Sequence, residues 1–289
     1  MTTVYIDGDV IKYQAAFAGQ VTQYGLEEPD GIIVYTATKK KLLASLGIEG
    51  NIISYPEPMP FEVVEQKVTS MITRIMNDTG ADKGIVFLTD SDGSLNYRHQ
   101  CAVTHPYKGN RKLIGDPFWK KATYELLKAM DNTIVVSGRE ADDALGCAIT
   151  SDPSGICASI DKDLLMVPGN HYNFTSREIT KSSDPGDIWL AEKSGAKKLK
   201  GHGFKWFCAQ MLLGDPVDNI VGLHGYGPVK THKVLSSVEG QFANYMKVQN
   251  LYIIELGKEQ GKQRFQENAD LLWIQRNTDE RFDQWIRRH

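Results

Sequence analysis

Ile156-Cys157-Ala158-Ser159-Ile160-Asp161-Lys162-Asp163 is a short apolar run that ends in two carboxylates. A run of this length behind Gly155 reads as a buried strand. Asp161 and Asp163 alternate, so both point the same way if the backbone stays extended. The same arrangement recurs along the chain. Val4-Tyr5-Ile6 leads to Asp7, and Ile85-Val86-Phe87-Leu88 leads to Asp90. Ile134-Val135-Val136 leads, through the turn Ser137-Gly138, to Glu140, Asp142 and Asp143. A second pair, Asp215 and Asp218, sits in Gly214-Asp215-Pro216-Val217-Asp218-Asn219. In a parallel sheet the C-terminal strand ends share one edge, and ligands bind there. These acids are therefore expected to converge. Converged carboxylates repel one another unless cations neutralise them. An all-oxygen donor set of this kind calls for hard divalent ions, two Mg²⁺ or Mn²⁺.

Each acid taken alone has a plainer reading. Asp7 can cap a following helix. Glu140, Asp142 and Asp143 complement a helix dipole in its first turn. Asp161 and Asp163 suit a solvated turn. Their recurrence on several strand ends is what points to a site.

Further strand-like runs are Thr3–Ile6, Ile32–Thr36, Gly84–Leu88, Thr133–Val136, Gly155–Ile160 and His171–Phe174. Helical periodicity runs over Phe61–Thr79, Pro117–Met130 and Glu140–Ile149. Alternating strands and helices predict an α/β fold, a central mainly parallel sheet flanked by helices. After about Lys205 helices dominate. A boundary is expected near Lys200, with an α/β core over residues 1–200 and a helical region over 201–289.

The 289 residues hold ample core, and no apolar run is long enough to span a membrane. The four cysteines show no C-x-x-C spacing, and the seven histidines form no zinc pattern. With free thiols and no signal-peptide pattern, a reducing, cytoplasmic setting is expected; the expected state is a monomer. The net charge of −3 argues weakly against a general polyanion binder, but the cations are clustered. Arg98, Lys108, Arg111, Lys112, Lys120 and Lys121 form one group; Lys193, Lys197, Lys198, Lys200 and Lys205 form another.

Within Pro106-Tyr107-Lys108-Gly109-Asn110-Arg111-Lys112, Lys108 and Arg111 are placed to contact a scissile phosphate. Tyr107 is placed to stack on an unpaired terminal base. Ile220-Val221-Gly222-Leu223-His224-Gly225-Tyr226-Gly227-Pro228-Val229-Lys230 lies between two helical patterns, Phe204–Leu213 and Pro228–Leu235. Gly225 and Gly227 permit close backbone approach beside Tyr226. Pro228 suits a first helical position, where amides can bind a phosphate with Lys230 one turn in. This is a helix-hairpin-helix-like element, over about 206–236, that grips duplex backbone without reading bases.

Together these segments resemble the metal-dependent 5′-nuclease family, most of all its phage 5′→3′ exonuclease branch. The matching stretches are Ile6-Asp7-Gly8-Asp9, Phe87-Leu88-Thr89-Asp90-Ser91, Tyr107-Lys108-Gly109-Asn110-Arg111 and Glu140-Ala141-Asp142-Asp143. Ser159-Ile160-Asp161-Lys162-Asp163-Leu164 and Gly214-Asp215-Pro216-Val217-Asp218-Asn219-Ile220, with the glycine hairpin behind it, complete the set in the family's order. The resemblance implies a PIN-like fold and a first metal group of Asp7, Asp90, Glu140 and Asp142. It implies a second group of Asp143, Asp161, Asp163, Asp215 and Asp218, partly through water. Lys108 and Arg111 take the place of the cations at the base of the family's arch, here a short one around 91–125. The hairpin matches the helix-three-turn-helix element, which often holds a K⁺ through carbonyls. The implied substrate is double-stranded DNA with 5′ ends, gaps or flaps, with RNA–DNA hybrids as a further candidate, in phage replication or recombination. Asp92 competes with Asp90 as the ligand, and the short stretch between Asp90 and Glu140 argues against a large closed arch. Two rival readings are a PIN-type ribonuclease and a non-catalytic protein that binds DNA ends.

Overall fold

The computed structural model describes residues 1–28, 30–47, 50–110, 115–193 and 195–288. The chain opens with β1 (Thr3–Asp7), α1 (Gly8–Ala18), β2 (Gln20–Glu27), β3 (Ile33–Ala37), α2 (Lys40–Ala44) and β4 (Asn51–Pro58). Next come α3 (Phe61–Thr79), β5 (Lys83–Thr89), α4 (Arg98–Cys101), α5 (Lys120–Lys128), β6 (Thr133–Val136) and α6 (Ala141–Ser151). Five strands follow: β7 (Ile156–Ala158), β8 (Gly169–Asn173), β9 (Glu178–Ser182), β10 (Asp187–Lys193) and β11 (Ala196–His202). The rest is α7 (Gly203–Leu213), β12 (Gly214–Asp215), β13 (Ile220–Val221), α8 (Pro228–Leu235), α9 (Gln241–Leu256), α10 (Lys258–Leu272) and α11 (Phe282–Ile286).

The contacts divide the chain into two compact units. One comprises Met1–Gly8, Ile75–Ile114 and Asn132–His289; the other comprises Asp9–Arg74 and Gly115–Asp131. The helical region after residue 200 falls in the first unit together with the sheet.

The first unit holds a six-stranded sheet in the order β6-β5-β1-β7-β8-β9. Every pairing is parallel except β8 with β9. Val4, Ile6, Val86, Leu88 and Ala158 are wholly buried, as strands covered on both faces must be. Helix α6 packs on this sheet, and α7, α9 and α10 pack on one another. Their shared core is aromatic: Phe204, Phe207, Trp273, Phe282 and Trp285 interlock at ring separations of 4.7–6.5 Å. The expected α/β architecture with a mainly parallel sheet, flanking helices and helical C-terminal region is the one found.

The second unit carries an antiparallel sheet in the order β3-β2-β4. The expected strand at Ile32–Thr36 belongs here, as β3, and not to the parallel sheet. Pro56 and Pro58 lie on the edge strand β4, where a missing amide proton costs least.

Candidate functional site

Four parallel strands end at the same edge of the main sheet, and each end delivers acids. β1 ends at Asp7 itself, which lies opposite Phe87 of β5. Asp90 directly follows β5, and its amide donates to the Val136 carbonyl at the end of β6 (2.8 Å). Beyond β6, Glu140 is the N-cap of α6, and the amide of Ala141 donates to the Thr89 hydroxyl of β5 (2.9 Å). That bond fixes the acid-bearing helix to the strand edge. Beyond β7, Ser159 links two acids: its hydroxyl donates to Asp7 Oδ2 (2.6 Å) and accepts from the Asp161 amide (3.0 Å). Asp161 in turn accepts from the Asp163 amide (2.8 Å).

The loop from Asp215 to Asn219 is fastened to the basic segment by reciprocal amide bonds. Asn110 Nδ2 donates to the Pro216 carbonyl (2.6 Å), and Asn219 Nδ2 donates to the Pro106 carbonyl (2.9 Å). The Tyr107 hydroxyl meets both Asp218 (2.9 Å) and Glu140 (3.1 Å). Lys108 Nζ ion-pairs with Glu140 and stands 3.8 Å from Asp218. Lys162 Nζ pairs with Asp163 (2.7 Å) and stands 3.9 Å from Asp215.

Proton affinities follow this crowding. Burial, then the Asp7, Asp161 and Glu140 carboxylates, push Asp142 well above the ordinary range. Burial raises Asp161 too, with Asp218 and Asp215 adding to it. Burial and Asp161 lift Asp163 to about 7. Glu140 goes the other way: burial opposes ionisation, but Lys108 and Arg98 hold it down at about 2. Asp7, Glu140, Asp142, Asp161, Asp163, Asp215 and Asp218 thus belong to one electrostatic cluster.

Other expected site residues stand elsewhere. Asp143 is fully buried, with both oxygens bound by Arg98 (2.6 and 2.9 Å) and one also by the Gln275 amide (3.1 Å). Its place is therefore in an internal ion pair and not among the metal ligands, because helical spacing turns it inward from Asp142. Tyr107 is 4 % exposed and its hydroxyl is bound to two carboxylates, so it orders the site and does not stack on a base. Asp90 is half-buried and accepts from the Asp92 amide (3.2 Å). Asp92 caps the turn Gly93–Leu95, accepting from the Ser94 amide. Arg111 and Lys112 lie outside the described residues.

The glycine hairpin joins α7 to α8 as expected. Gly227 caps α8 and Pro228 opens it. Gly225 has φ +75°. Lys230 is exposed, with its ammonium 3.7 Å from the ring centre of the buried Tyr226. Arg98, Ser159 and Lys162 also shape the site. Ser159 and Lys162 had no cue in the sequence beyond adjacency to Asp161 and Asp163, and Arg98 only its membership of the first basic group.

Among the described residues, no group of three or more His, Cys, Asp and Glu side chains is arranged to hold an ion as it stands. The chemistry nevertheless fits hard cations. The cluster's donors are carboxylates that repel one another, and two lysine ammonium groups supply counter-charge between them.

Neither a protein-family model nor a curated protein matches the chain by sequence. Among solved structures it is similar to a T5 protein co-crystallised with metal ions, at 15% identity and a TM-score of 0.54. That match covers 96% of this chain and 90% of the other. It is also similar to the bacteriophage T5 flap endonuclease in a pseudo-enzyme–product complex with DNA and metal ions, at 15% identity and a TM-score of 0.54. There the match covers 94% of this chain and 89% of the other. A T5 5′-exonuclease with bound zinc gives 17% identity, a TM-score of 0.53 and coverages of 94% and 86%. At these identities the likeness is one of fold.

Proposed function

We propose that this chain is a divalent-metal-dependent nuclease that hydrolyses phosphodiester bonds of DNA from its 5′ ends, as a 5′→3′ exonuclease or a 5′ flap endonuclease. The observation that carries the reading is the gathering of mutually repelling carboxylates from several strand ends at one sheet edge. A protein gains nothing by that repulsion unless cations and a polyanion come to it. Asp7, Asp90, Glu140 and Asp142 would hold one ion, and Asp161, Asp163, Asp215 and Asp218 a second. When bound, two Mg²⁺ or Mn²⁺ supply positive charge for the phosphoryl oxygens and acidify an attacking water.

The chain's own residues do the rest. Ser159 orients Asp7 and holds the Asp161 loop against it. Tyr107 fixes Glu140 and Asp218. Lys108, at the cluster's rim, offers its ammonium to the phosphate, with Arg111 as its partner cation. The amides at the start of α8, with Lys230, take duplex backbone at a distance from the reacting bond. A K⁺ held by the carbonyls of this hairpin belongs to the same reading. This hairpin favours duplex DNA over the substrate of a compact ribonuclease. The acids argue against a protein that only binds DNA ends, since they would repel it.

The test is digestion of an internally labelled duplex carrying a 5′ flap, with Mg²⁺, Mn²⁺ or chelator, by the wild type and by Asp161→Asn. Cleavage that needs the metal and falls at least about a hundredfold in the variant, about 3 kcal/mol of barrier, is expected. Short products from blunt ends mark an exonuclease, and an intact released flap marks an endonuclease. Retained DNA binding without cleavage in either metal overturns the proposal.

A further inference from the structure

Of the second lysine cluster, Lys193, Lys197, Lys198 and Lys200 lie on the antiparallel hairpin β10–β11, which the site described above does not use, and Lys205 is buried in α7. Its two faces differ sharply. Ile188 and Leu199 are buried, and the hairpin packs on α7 and α8. The opposite face pairs Trp189 with Lys200 and Ala191 with Lys198 directly across the strands. Trp189 is 42 % exposed, a large aromatic surface to leave in water. Lys198 and Lys200 are exposed, and neither makes an ion pair among the described residues. The acid on this face, Asp187, lies opposite His202 and accepts from the Ile188 amide.

The hairpin is coupled to the carboxylate cluster through one residue. A Cβ on Gly201 would come within 3.0 Å of the Trp206 ring, so the strand runs close to that indole. The Trp206 indole N–H donates to the carbonyl of Lys162 (3.1 Å), whose ammonium serves Asp163 and Asp215. The hairpin therefore stands one indole away from the backbone of the loop that carries Asp161 and Asp163.

We infer that the outer face of β10–β11 is a second DNA contact, which takes an unpaired strand with a base stacked on Trp189 and phosphates on Lys198 and Lys200. Unpaired cations beside an exposed aromatic are the components of single-strand binding surfaces. The charge complements a polyanion, and within nucleic acid an indole face can stack only on a base that is out of a duplex. The inference rests on the nuclease reading, since an enzyme that works at 5′ ends and flaps meets unpaired strands.

The experiment is fluorescence anisotropy of a labelled oligothymidylate across a salt series, in chelator so that nothing is cut. Wild type, Trp189→Ala and Lys198→Ala/Lys200→Ala are compared, and thermal melts check that all three are folded. The double lysine variant is expected to flatten the log–log salt slope by about 1.4, or 0.7 per phosphate. Trp189→Ala is expected to bind roughly tenfold more weakly with its slope unchanged. Wild-type affinity and slope in both variants overturn the hairpin assignment alone. If the wild type binds neither this strand nor a flapped duplex, the nuclease reading falls as well.

Discussion

Arg98 anchors the acid-bearing helix. Its guanidinium grips Asp143 with two bonds and donates to the Leu271 (3.0 Å) and Trp273 (2.7 Å) carbonyls. It also stands 3.9 Å from Glu140. Both partners of the Arg98–Asp143 pair are buried, so loss of one leaves the other charge stranded. Arg98→Met is expected to lose about 3–5 kcal/mol of stability in urea unfolding. Arg98→Met/Asp143→Leu should regain much of it, because no charge is then left unpaired. This arrangement was not legible in the sequence. Asp143 follows Asp142 and shares a motif with true members of the cluster, but its partner lies 45 residues back and the capping carbonyls 173 and 175 residues on from Arg98. No local period encodes such distances. The strand-end acids were legible, because each follows its own apolar run.

Among the elements, the helices were read best. Phe61–Thr79 and Pro228–Leu235 have the expected bounds, since an amphipathic period and an N-terminal proline are local signals. β2, β4 and the β10–β11 hairpin were missed. Their exposed faces are rich in Gln, Thr, Pro and Lys, and few buried residues mark the alternation. The turn between α7 and α8 shows what its glycines are for. A Cβ on Gly222 would lie 2.2 Å from the Leu212 carbonyl oxygen and 2.5 Å from the Gly214 amide. Gly222→Ala is expected to cost several kcal/mol and to abolish duplex binding, as melts and gel shifts would reveal. Gly225→Ala has open space and only its positive φ to contend with, so it should cost about 1 kcal/mol. Equal losses in the two variants would contradict this account.

For the molecule as a whole, one route by which pH acts on stability is His171, on β8. His171 is 6 % exposed, and burial holds its pKa down at about 4 while Nε2 contacts the Val167 carbonyl (2.8 Å). The unfolded chain titrates the same group near 6.5. Below about pH 6.5 the unfolded form therefore takes up a proton that the folded form refuses. Stability contributed by neutral His171 is complete above that pH and drains away down to about pH 4. The total is about 3 kcal/mol. Denaturation midpoints of wild type and His171→Gln, measured between pH 7 and 4.5, should diverge in slope by this contribution. Parallel profiles would mean that His171 titrates alike in both states.

During synthesis, Arg98 and Asp143 leave the ribosome well before Leu271, Trp273 and Gln275. Until those residues emerge, two of the four hydrogen bonds of the Arg98 guanidinium and the amide bond from Gln275 to Asp143 are unmade. A nascent chain can close its parallel sheet and bring its acids together, yet it lacks the backbone cage that fixes the helix carrying Glu140 and Asp142. Closing so long a loop adds little entropy beyond a shorter one, so the delay is set by translation and not by the search. The helix that carries Glu140 and Asp142 is thus caged only once residues up to 132 positions beyond Asp143 have been made.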